Sequence, residues 1–185
     1  MTSDTVVLFL SLLALFVQAG LVATLVVLVV PRAANARRRL LDVLGASAEV
    51  PALAIALVAT VGSLYLSEGA HFLPCALCWY QRIAMYPLAV LLTVALVRRR
   101  VDVSVYVIPL ATMGALISSY HMLVERFPRL ESGACKSTTP CTVIWTRRLG
   151  YLTIPTMALT AFVAIIVLLA LGSYARRRVD CMEEN

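Results

Sequence analysis

Apolar residues run along this chain in five long blocks separated by short polar stretches. The first block is roughly Val6 to Val30, the second Val50 to Leu66 and the third Pro74 to Val97. The fourth runs from about Val103 to Val124 and the fifth from about Tyr151 to Tyr174. Each approaches the ~20 residues with which an α-helix crosses hydrocarbon. No block alternates in polarity with period two, and lipid does not tolerate an open sheet edge, so strands are excluded. The pattern predicts an all-α membrane protein with five spans.

Composition agrees with that pattern. Of 185 residues, 61% are hydrophobic and only 14% are charged, far too apolar for a soluble domain. The net charge of +6 does not describe a nucleic-acid surface, because ten of the sixteen Lys and Arg residues fall in three clusters beside apolar blocks. These are Arg32 with Arg37 to Arg39, Arg98 to Arg100, and Arg176 to Arg178. They follow the first, third and fifth spans. Cytoplasmic loops carry the excess of basic residues, so all three clusters are expected on the inner side of the membrane. The N-terminus is then outside and the C-terminus in the cytoplasm. The outer loops are Ser67 to Leu73 and Glu125 to Gly150. Ala34-Asn35-Ala36 resembles a signal-peptide cleavage site, but the preceding apolar block is too long for one and is itself preceded by Asp4 instead of a basic residue. The first span is read as a true helix. The segment Arg37 to Ala48 suits either a short helix with Leu40, Leu41 and Leu44 towards lipid or a plain solvated loop.

Chemistry concentrates in the two outer loops. Cys75 and Cys78 form a C-x-x-C at the start of the third span, three residues apart and within reach of a disulfide. Pro74 suits the first turn of that helix, where its missing N–H costs nothing. A helix N-terminus favours negative charge, hence a thiolate. Cys78 is the deeper of the two and the natural contact for something dissolved in the bilayer. Arg82 follows one turn deeper on the same face. An arginine inside an apolar span is disfavoured unless it snorkels or serves a ligand, and a guanidinium stabilises a thiolate or donates to a ligand oxygen. His121, at the outer end of the fourth span, shares their depth and is read either as structural or as part of the same site. His71 is read as solvated.

Cys135 and Cys141 frame Lys136 to Pro140. A bridge between them would close a small, exposed ring, either a loop staple or an attackable disulfide, with Lys136 favouring thiolate at Cys135. An outward-facing dithiol can hold and pass on a disulfide, whereas a cytosolic one is kept reduced. Zinc would need the C-x-x-C to combine with a C-x5-C more than fifty residues away, so no metal is expected. Cys181, in the inner tail, has no assigned role.

The run Pro74-Cys75-Ala76-Leu77-Cys78-Trp79-Tyr80-Gln81-Arg82 resembles the signature of the DsbB family, including its BdbC-type branch. Ser119-Tyr120-His121, Pro140-Cys141 and Gly150-Tyr151-Leu152-Thr153-Ile154-Pro155 resemble it too. The resemblance implies a four-helix bundle over residues 50–174. Residues 1–49 would then be an extra transmembrane helix and an inner basic loop, and 175–185 an inner tail. It also implies an enzyme that reoxidises a DsbA-like thioredoxin-fold thiol oxidase and passes the electrons to the membrane quinone pool, ubiquinone or menaquinone. Cys135 and Cys141 would take electrons from the partner and pass them to Cys75 and Cys78. Arg82, His121 and Cys78 would face the quinone. The extra first helix, Gln81 in place of an acidic residue and the short second cysteine pair depart from the pattern. The vitamin K epoxide reductase family has a similar bundle but the reverse order of cysteine pairs. A structural membrane protein with inert loop disulfides is the remaining alternative.

Overall fold

The computed structural model describes residues 3–98, 103–131, 133, 135 and 139–183. Arg99, Arg100 and Lys136 lie outside the described residues. The described residues form six α-helices: α1 (Ser3–Val29), α2 (Ala34–Ser47), α3 (Glu49–Leu64), α4 (Ala76–Arg98), α5 (Ser104–Arg126) and α6 (Ile154–Glu183). All but α2 are long and apolar enough to cross a membrane. α3 continues through a π-helical turn at Tyr65–Gly69. Helices are the element an apolar chain must choose here, because each closes its own backbone hydrogen bonds without water.

Helices α3, α4, α5 and α6 form a closed ring, each packed on the next and α6 packed back on α3. Its core interleaves small with large residues: Ala52, Ala56, Ala84 and Ala111 are fully buried, as are Leu88, Leu92 and Phe162. Lipid offers no hydrophobic drive for helix association, so close backbone approach has to supply the contact. Phe162 of α6 occupies the space that a side chain on Gly114 of α5 would need. α1 packs outside the ring, chiefly on α6.

α2 settles the two readings of residues 37–48. It is a helix, but Leu41 and Leu44 are buried against α6, not turned to lipid. A Cβ on Gly172 of α6 would lie 2.5 Å from the Ala48 Cβ, so the α2–α3 joint presses directly on the α6 backbone. Arg176 locks that joint, pairing with Glu49 at 2.9 Å and donating to the Gly45 carbonyl at 3.2 Å.

At the opposite end from the arginine clusters, the two long loops meet. Phe72 stacks on Trp145 with ring centroids 5.0 Å apart. Left-handed backbone at Leu149 (φ 53°) and Gly150 (φ 79°) reverses the chain between the paired residues Arg148 and Leu152. This turn delivers Ile154 to the start of α6. Both cysteine pairs lie at this end.

Candidate active site

Cys75 is the N-cap of α4. The Trp79 N–H donates to its carbonyl at 3.1 Å, and the Cys78 N–H donates to its Sγ at 3.4 Å. Sulfur takes the place of the usual cap oxygen and satisfies one of the orphan N–H groups of the first turn. Pro74 therefore sits just before the cap, two positions ahead of the first helical residue, and not in the first turn where it was expected. The Cys75 and Cys78 sulfurs, both thiols here, are 3.2 Å apart. Cys75 lies outside the span, which begins at Ala76. Its hydrogen bond with the Cys78 thiol, then His121, hold its pKa well below the ordinary thiol value, with burial opposing them.

Cys135 and Cys141 form a disulfide with Cα atoms 5.8 Å apart. The bridge is not the exposed ring expected from the spacing. Cys141 is 1% exposed and packs in one cluster with Cys75, Leu77 and Val124, leaving Cys135 as the more accessible sulfur. Glu131 fixes the loop by accepting the Cys141 N–H at 2.7 Å.

His121, buried on α5, joins the two pairs. Its Nε2 lies 3.2 Å from the Cys141 carbonyl and 3.7 Å from the Cys75 Sγ. A carbonyl only accepts, so Nε2 carries the proton. Nδ1 is then the acceptor for the Gln81 amide at 3.2 Å. Gln81 thereby selects the tautomer that aims a donor at Cys75.

Beyond Cys78 lies an apolar cavity of about 430 Å³. Cys78, Gln81, Arg82, Met85 and Tyr86 of α4 line it together with residues of α1, α3 and α6. That volume is in the range of small-molecule sites, which combine apolar walls with a few placed polar groups. Arg82 does not snorkel. It is 9% exposed, donates from Nε to the Ser63 Oγ at 2.9 Å and from one Nη to the Ser63 carbonyl at 3.0 Å. Its guanidinium also stands 5.2 Å from the centre of the Trp79 ring. The Tyr86 hydroxyl is buried without a hydrogen-bond partner among the described residues. His121 is not among the lining residues of this cavity. It borders a second cavity of about 20 Å³ with Cys75, Cys78, Glu125 and Pro140, roomy enough for about one water.

Ser63, Gln81, Tyr86 and Glu131 were not foreseen as site residues. Gln81 and Tyr86 carried a signal, being polar positions in the same apolar span as Cys78 and Arg82. Ser63 and Glu131 carried none. His71 is exposed, as read. Cys75, Cys78 and His121 offer two thiol sulfurs and an imidazole nitrogen within 4.8 Å of one another, donor atoms of the kind that could hold a transition metal.

The family model of the disulfide bond formation protein DsbB matches residues 46–172. The chain belongs to the DsbB family. It is 44% identical over 118 residues to disulfide bond formation protein C of Bacillus subtilis (strain 168), covering 63% of this chain and 86% of that protein. It is 42% identical to a probable disulfide formation protein C 1 of Bacillus anthracis, covering 60% and 80% respectively. With a probable disulfide formation protein of Oceanobacillus iheyensis it shares 40% identity, over 61% of this chain and 79% of the relative. No solved structure matches the chain. As a DsbB-family member it is a disulfide-forming, multi-pass membrane protein with an oxidoreductase role.

Proposed function

We propose that this DsbB-family chain reoxidises a DsbA-like thioredoxin-fold partner and delivers the electrons to a membrane quinone. The observation that carries the reading is the position of the C-x-x-C. Cys75 is packed with the loop cysteine Cys141, and Cys78 borders the apolar cavity.

The relay starts with both pairs oxidised. A partner thiolate attacks Cys135, the more accessible end of the loop bridge, forming a mixed disulfide and releasing Cys141 as a thiolate. Cys141 attacks Cys75, and Cys78 leaves as a thiolate. The partner's second thiol resolves the mixed disulfide, which oxidises the partner and frees Cys135. Cys135 then attacks Cys141, restoring the loop bridge and releasing Cys75. The net result is one partner disulfide and one reduced Cys75–Cys78 pair. His121 supports the transfer by placing an N–H beside the Cys75 sulfur as charge develops on it.

The cavity suits a quinone. A buried guanidinium, an unpartnered tyrosine hydroxyl and Cys78 share its wall, and the rest is apolar. Arg82 and Tyr86 would hold the carbonyl oxygens, and a bound quinone supplies the capacity to take up two electrons and two protons. Glu125 and His121, around the small second cavity, give protons a route towards the loop end. The basic clusters at the other end of the bundle support an orientation with the cysteine pairs outside the cytoplasmic membrane, where a disulfide product persists.

The test is turnover of a reduced thioredoxin-fold protein by the purified chain with a soluble quinone. One quinone reduced for each partner disulfide formed is expected, and Cys78→Ser should abolish it. A Cys78→Ser protein that reduces quinone at the wild-type rate overturns the relay.

A further inference from the structure

The family match begins at residue 46, so α1 lies wholly outside it. Yet α1 lines the large cavity through Leu10, Leu13, Ala14, Phe16 and Val17. We propose that α1 is the lateral wall of a channel for the polyprenyl tail of the quinone, so that this helix sets preference for tailed over tail-less acceptors. The inference rests on the quinone reading above and adds the residues that recognise the tail.

Two adjacent stripes of α1 divide the work. Val7, Ser11 and Ala14 are buried, and Gln18 continues that stripe one turn on. Gln18 is gripped at both ends of its amide: it donates to Thr160 Oγ1 at 2.9 Å, and the Tyr151 hydroxyl donates to its Oε1 at 2.9 Å. A polar amide in lipid has strong reason to keep such partners, so the clamp fixes the rotation of α1 about its own axis. The neighbouring stripe, Leu10, Leu13 and Val17, is thereby turned to the cavity. Leu10 also fills the notch at Gly62 of α3, where an added Cβ would lie 2.9 Å from its Cδ2. The wall is therefore attached to both α6 and α3.

The shape of the cavity favours an elongated ligand. On α3 its lining runs from Pro51 to Leu66. At 1.5 Å per residue that is roughly 22 Å of helix. The charged and redox groups, Cys78 and Arg82, share the wall with Ser63 and Leu66 near one end of that stretch, while Pro51, Ala54 and Ile55 beyond them are apolar. A polar head with a long hydrocarbon tail matches this division, and continuity with Cys78 selects a redox-active head over a phospholipid.

The full-length protein in nanodiscs provides the test. Binding of a polyprenyl quinone and of a tail-less quinone with the same ring is measured by quenching of tryptophan fluorescence, since Trp145 also lines the cavity. Val17→Phe, which narrows the channel, should raise the ratio of tailed to tail-less Kd at least fivefold over wild type. Gln18→Ala, which frees the wall, should move the ratio the same way, and Leu13→Phe replaces Val17→Phe should the latter fail to fold. Wild-type protein that binds neither quinone overturns the quinone reading itself. Wild-type protein that binds both, with variants whose ratio is unchanged, overturns the role of α1 alone, as does a phospholipid acyl chain retained in the channel at the expense of the tailed quinone.

Discussion

Replacing Ser63 by alanine tests whether Arg82 is a positioned ligand donor or merely a buried cation. The substitution removes the Nε–H···Oγ bond of 2.9 Å and leaves the Nη–H···O=C bond of 3.0 Å to the same residue's backbone. A hydrogen bond to a charged group contributes about 1.5–3 kcal/mol. At about 1.4 kcal/mol per factor of ten, complete loss of one such bond corresponds to about 10- to 150-fold. The surviving carbonyl bond and the Trp79 face still restrain the guanidinium, so the low end, ~10-fold, is expected in quinone KM. Steady-state kinetics with saturating reduced partner separate that KM from kcat. Arg82→Lys should not substitute for arginine, because the two Ser63 contacts use a planar fork that lysine lacks. Adding Arg82→Ala supplies the decisive arm: if Ser63 acts only through Arg82, the double variant is no worse than Arg82→Ala within about 0.5 kcal/mol. Full additivity of the two losses, or an unchanged KM for Ser63→Ala, refutes the reasoning.

Three further outcomes are expected. His121→Ala should slow single-turnover transfer from the loop pair to Cys75–Cys78 by about 10²- to 10⁴-fold, while quinone KM stays near wild type. A KM shift with the transfer rate intact would instead place His121 at the quinone. Gly114→Ala drives a methyl group into the Phe162 ring, and overpacking of this kind costs about 1–3 kcal/mol. A lowered thermal unfolding midpoint in detergent is the expected readout, and an unchanged one contradicts the α5–α6 packing. A fluorescent protein fused after residue 185 should fold and fluoresce in the cytoplasm, whereas activity of alkaline phosphatase fused there would reverse the proposed orientation.

Much of the architecture was legible in the amino-acid order. Five spans follow from hydropathy because bilayer thickness sets helix length and an apolar chain must satisfy its own backbone. The register of Cys75, Cys78 and Arg82 was equally plain, since residues three and four apart on one helix are neighbours in any fold that keeps the helix. What the order of residues left undecided depends on how separate elements approach one another. Cys141 is buried beside Cys75 only because the second loop folds down onto α4 and α5. His121 lies on the dithiol side and not against the large cavity because of the rotation of α5 within the ring. Ser63 gives no hint of its role until α3 and α4 are packed, and Leu41 and Leu44 turn from lipid to α6 once that helix is there to receive them. The first span was recognisable as a helix, but whether it wandered in lipid or walled a cavity was fixed by Gln18 meeting Thr160 and Tyr151, more than 130 residues away. Local periodicity encodes each helix and its faces, while contacts between helices depend on crossing angles and loop paths that leave no local signature, so those only the tertiary structure decided.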